Sequence, residues 1–213
     1  AYGVTEWNSA VFSTLGHYAV TTADRLDADY RIISQSGWGV CSSWDNDPRR
    51  VLPAYYEQVC GLLEGKEQLE AGSGEKNGFE AWQPDAVMVN LGTNDASAFR
   101  NKEWVDEKTG MSFKQKTNAD GSYEEESLNR FKTAVYNFLV LIRKNNPKAH
   151  IVWLYGMIGR EMEPYILDTL NRYKSDYGDD NAEYLLLPDL KTEWMGANNH
   201  PGALSHGAAA DVL

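Results

Sequence analysis

The run Ala86–Leu91, AVMVNL, ends abruptly at Gly92-Thr93-Asn94-Asp95, and this stretch limits the fold more tightly than any other. An apolar run of strand length between Pro84-Asp85 and a Gly-Asn-Asp cluster predicts a buried strand of a parallel sheet. In open α/β sheets, ligands sit beyond the carboxyl ends of the strands. Gly92 allows a sharp turn there, and Asn94 projects an amide donor from a rigid strand end, as an oxyanion site requires. A strand followed by an ordinary Asx-type turn explains the same four residues equally well.

Other elements follow in alternation. Helices are predicted over Ser13–Leu26, with Ser13 as N-cap and Leu15, Tyr18, Ala19, Thr22 and Leu26 on one face, and over Pro48–Leu63, opened by Asp47-Pro48. Ser127–Asn145 carries Leu128, Phe131, Val135, Phe138, Leu139 and Ile142 at helical spacing, and Glu161–Tyr177 is a further helix. Strands are predicted at Tyr30–Ser34, His150–Tyr155 and Tyr184–Leu187, and a last helix from about Leu204. Residues 64–78 read as a surface excursion, and residues 96–126 as a long polar connection forming a wall or lid over a site. The alternation predicts a single α/β domain over 1–213: a three-layer α/β/α sandwich with a flavodoxin-like parallel sheet.

Composition narrows the partners. A net charge of −11 argues against nucleic acid and anionic membranes, and no run of 18 apolar residues exists to span a bilayer. Seven Trp and twelve Tyr offer flat faces for sugar rings, although core packing claims about half of such residues. The two cysteines, Cys41 and Cys60, lack the number and His spacing of a metal site; they can pair or remain free, and no disulfide is expected.

Three features beyond strands or in loops stand in a telling order: SGWG (36–39), GTND (92–95) and NNHPGALSH (198–206). With ADYRIISQSGWGV, WDNDPRRVLPAYYEQV and WQPDAVMVNLGTNDASAF, they resemble the SGNH (GDSL-type) hydrolases, and within these carbohydrate esterase family 2 and related acetyl-xylan esterases. That resemblance covers nearly the whole chain. It implies that Gly39, or as second choice Gly37, donates a backbone N–H to an oxyanion, that Asn94 donates its side-chain amide, and that His200 is the general base. Taken alone, His200 is more simply read as a surface or N-cap histidine.

The chain departs from the pattern twice. The Asp usually found three residues before the His is Ala197 here, which implies a Ser-His dyad whose imidazole is held by a backbone carbonyl. No serine stands in a GDS context either, and the opening Ala1-Tyr2-Gly3 matches the "YG" that follows the nucleophile in the family. The expectation is therefore a chain truncated at its N-terminus, with the nucleophile and first strand absent and Ala86–Leu91 bordering an empty strand position. The resemblance implies a secreted carbohydrate O-acetyl esterase without metal or cofactor, with Trp38, Trp44 and Tyr155 near the sugar or in the core. A carbohydrate-binding module on an esterase-like scaffold, or an esterase for other small acyl esters, are the alternatives.

Overall fold

The structure, a computed structural model, describes residues 3–6 and 11–213. Ala1 and Tyr2, from which proximity to a nucleophile was expected, lie outside the described residues. The main sheet has three strands in the order β1-β4-β5, where β1 is Ala86–Asn90, β4 His150–Gly156 and β5 Ala182–Leu187. Strands β1 and β4 are parallel, in register from Ala86 opposite His150 to Asn90 opposite Leu154. β5 runs the same way: Ile151 N–H donates to Asn181 O at one end, and Gly156 lies against Leu187 at the other.

β4 takes the centre because its IVWLY run has nothing to offer water; Ile151, Trp153, Leu154 and Tyr155 are fully buried. Trp153 satisfies its indole N–H on Leu91 O at 3.2 Å, which ties down the end of β1. β1 itself is only partly covered, with Met88 41% exposed, and among the described residues no strand pairs with its other side.

Two compact units divide the described chain: Ala1–Ile32, Tyr155–Arg160 and Leu186–Leu213 in the first, Ile33–Leu154 and Glu161–Leu185 in the second. In the second unit α4 (Glu125–Asn145) buries Phe131, Val135, Phe138, Leu139 and Ile142, as its spacing predicts, and packs on α5 (Glu163–Tyr177). Arg143, Asp179 and Tyr173 hydrogen-bond together beside that packing. The same unit contains α2 (Lys66–Glu70), α3 (Thr93–Arg100) and a small hairpin of β2 (Trp104–Val105) and β3 (Ser112–Phe113). In the first unit α1 (Tyr18–Leu26) packs on α6 (Ala203–Ala210).

Several expectations need correction. The first helix starts at Tyr18, because His17 caps it by accepting Ala19 N–H, while Ser13 accepts Gly16 N–H in a separate turn. Its buried face is Tyr18, Val20, Thr22 and Ala23; Leu15 and Leu26 are exposed. Tyr30–Ser34 forms no strand: β-branched residues do not make one without a partner ladder, and Tyr30, Ile32 and Ile33 are exposed. Pro48–Leu63 yields only a 3-10 turn at Leu52–Tyr55. Asp47 captures the Arg49 N–H, and Val59 and Cys60 donate to Glu75 and Ser73, so their backbone is drawn into loop pairing. The surface excursion at 64–78 contains α2, and GTND leads straight into α3.

Candidate active site

The oxyanion candidates lie in the second unit. Gly92 takes φ 127°, turning the chain out of β1, and α3 begins at once, so Asn94 and Asp95 occupy its first turn. Asn94 donates one amide N–H to Trp38 O at 2.9 Å. An amide nitrogen has two hydrogens, so the bond to Trp38 fixes the amide and uses only one of them. Gly39 is buried and pairs with Val51 in an isolated parallel bridge, its carbonyl accepting Leu52 N–H at 3.1 Å. A Cβ at Gly39 would sit 2.2 Å from Ser42 O and 2.4 Å from Asp95 Oδ2, so only glycine fits. Gly37, the second choice, has φ 80° and faces Trp44, which donates its N–H to Gly37 O.

Asp95 was read from the sequence only as a turn residue, yet it organises this loop. Fully buried, its carboxylate accepts N–H bonds from Val40 (3.0 Å), Cys41 (2.8 Å) and Ser42 (3.3 Å). Burial pushes its pKa up to about 6, against the pull of those N–H groups. The available signal was an acid directly after the amide donor, in the first turn of a helix.

The far end of α3 is fixed as well. Lys114 donates its ammonium to the carbonyls of Ala98 (3.2 Å) and Phe99 (3.1 Å) and to Asn101, and Asn46 donates to Ala98 O (2.8 Å). The 96–126 connection is thus partly structured, as α3, the hairpin and a lysine clamp, with Phe99 packed on Tyr123 at 4.3 Å between ring centroids.

The base candidate lies in the first unit. His200 is exposed and follows a short turn, Ala197–Asn199, in which Asn198 and Asn199 take φ 50° and 57°. Its Nδ1 stands 2.9 Å from Asn198 O, the backbone-carbonyl geometry expected of a dyad. A carbonyl can only accept, so that contact puts a proton on Nδ1. The turn is secured by Asn198 N–H on Val4 O (2.8 Å) and Gly196 N–H on His200 O (2.6 Å). His206 serves the packing instead: its Nδ1 accepts Tyr18 N–H at 3.4 Å, and its ring lies 4.9 Å from that of His17.

Of the aromatic candidates, Trp44 is 47% exposed, and half-buried Trp38 packs on Tyr55 at 5.2 Å. Tyr155 is fully buried in β4, so it belongs to the core and not to a sugar surface. Cys41 and Cys60 are both free thiols. Among the described residues no three His, Cys, Asp or Glu side chains converge as a metal site.

No family model matches the chain. An acetyl xylan esterase (Est2A) from the rumen bacterium Butyrivibrio proteoclasticus is 41% identical, with a TM-score of 0.95 over 99% of this chain and 57% of that one. The chain is similar to that acetyl xylan esterase over nearly its whole length. A family two carbohydrate esterase from Clostridium thermocellum, solved in complex with cellohexaose, has the same fold at 21% identity and a TM-score of 0.75, over 98% of this chain and 55% of that one. The "Cellulase/esterase CelE" of Acetivibrio thermocellus is 26% identical over 202 residues, which are 92% of this chain and 20% of that protein. The chain therefore spans little more than half of the solved relatives and a fifth of the curated one.

Proposed function

We propose that this chain carries the oxyanion and base elements of a carbohydrate O-acetyl esterase. The observation that carries the reading is the 41% identity, over 99% of the chain, to a protein described as an acetyl xylan esterase. The local geometry supports it: an Asn94 amide held on the Trp38 carbonyl, and a His200 whose Nδ1 stands on a backbone carbonyl.

In the proposed reaction a serine hydroxyl attacks the acetyl carbonyl while His200 Nε2 takes its proton. The carbonyl oxygen becomes an oxyanion and accepts hydrogen bonds from Gly39 N–H and Asn94. His200 then returns the proton to the sugar hydroxyl that leaves, and activates the water that hydrolyses the acetyl-enzyme. None of the chain's serines has a Gly-Asp-Ser setting, so the attacking hydroxyl is assigned to no residue named here. A polymeric plant substrate implies action outside the cell.

The test is acetate release by the full-length protein from acetylated xylan and from acetylated cello- and manno-oligosaccharides. Release from acetylated sugars, with simple long-chain acyl esters left intact, is the expected result. Retention on the deacetylated polymer without acetate release would leave a binding module, and preference for long-chain acyl esters would exclude the sugar substrate.

A further inference from the structure

Asn94 and Asp95 are consecutive, and they hold the two sides of the same glycine. Asn94 donates to the carbonyl of Trp38, immediately before Gly39. Asp95 accepts the N–H groups of Val40, Cys41 and Ser42, immediately after it. Gly39 is therefore bracketed by bonds from a single helical turn. The approach is close enough that a Cβ on Gly39 would collide with the Asp95 carboxylate.

We propose that Asp95 is a positioning residue for the esterase reaction, whose ionised carboxylate holds the 40–42 loop and, through it, the Trp38 carbonyl that orients the Asn94 amide towards the oxyanion. This inference rests on the esterase reading and adds a residue to it that touches no substrate. Three N–H donors on two oxygens require a carboxylate. An amide in its place presents an N–H₂ to the same N–H groups, and a protonated acid presents an O–H. Either leaves donors facing donors in a fully buried place, so the loop shifts and the oxyanion loses a partner.

Asp95 is also the group in this cluster set to titrate in the mildly acid range, at about 6. The ionisable groups beside it are Cys41 on the loop and, across Gln115, Arg130 on α4. Burial and the Asp95 charge push the Cys41 thiol up to about 12, so it stays neutral.

The experiment uses the full-length protein and Asp95→Asn, with kcat referred to folded protein counted by near-UV circular dichroism. The expected result is a fall in kcat of about 100-fold with KM unchanged within threefold, the scale of one lost oxyanion donor. In the unsubstituted protein, the amide proton resonances of Val40, Cys41 and Ser42 should move together through one titration near pH 6. If the unsubstituted protein releases no acetate, the esterase reading itself fails. If it is active and Asp95→Asn keeps kcat within threefold, the positioning role alone is overturned. Should the variant not fold, the amide titration decides: Val40, Cys41 and Ser42 resonances that share no common titration between pH 8 and 3 overturn the proposal.

Discussion

The loop around Gly39 in the second unit and the histidine turn of the first are built in opposite ways. Around Gly39, a buried carboxylate, a side-chain amide and a helix clamped at its far end all determine the same few backbone atoms. His200, by contrast, is exposed on a turn that contains two left-handed asparagines, with its Nδ1 on a carbonyl from the same turn. An oxyanion site gains from rigidity because its dipoles must be aimed before charge develops. A base that takes and returns a proton needs the correct tautomer and reach, which one carbonyl supplies. The difference teaches that a site of this kind can place its bonds where reorganisation costs most.

The sharpest way to break the comparison is at His200. His200→Ala in the full-length protein is expected to lower kcat by about three orders of magnitude, since the acid and base roles vanish together. Steady-state acetate release checks it, and a loss under tenfold removes His200 from the reaction. His206→Ala, in the same unit but engaged with Tyr18, should stay within tenfold.

A smaller effect is expected at Asn198, whose φ is 50°. An alanine forced into that left-handed region costs about 1–2 kcal/mol, and a glycine does not. Asn198→Ala should lower kcat about tenfold, and Asn198→Gly should match the parent. Equal losses in both would mean that the Asn198 side chain, and not the backbone carbonyl, orients the imidazole.

The smallest effect concerns how the first unit responds to acid. Burial, then the neighbouring His206, hold the His17 pKa down from 6.5 to about 4, and burial lowers that of His206. A histidine whose pKa is depressed on folding binds fewer protons than it does unfolded between those two values. Its contribution is present above pH 6.5 and is lost as the pH falls towards 4. Hydrogen-exchange protection of α1 should therefore drop severalfold from pH 7 to 5, with that of α4 unchanged. His17→Asn keeps an N-cap acceptor and should flatten the response; an unaltered α1 profile in the parent refutes this account.

Much was legible without coordinates where a single physical signal dominated. Helical spacing marked α4, the unbroken HIVWLY run marked β4, and Gly92 marked the turn that presents Asn94. The readings failed where a partner decides the outcome. Tyr30–Ser34 has strand composition but no described strand to pair with, and Pro48–Leu63 lost its donors to Asp47, Ser73 and Glu75. Tyr155 is as aromatic as Trp44, and only its place in the central strand commits it to the core.

The sequence by itself determined the alternation of strands and helices, the identity of the Gly39, Asn94 and His200 candidates, and the absence of an Asp at position 197. Periodicity, turn chemistry and residue type act locally, and so can be read along the chain. Only the tertiary structure decided that Asp95, more than fifty residues from the SGWG loop, is the residue that holds it. Hydrogen bonds from Val40, Cys41 and Ser42 to one buried carboxylate depend on where two distant segments meet, and nothing in the order of the residues records that meeting.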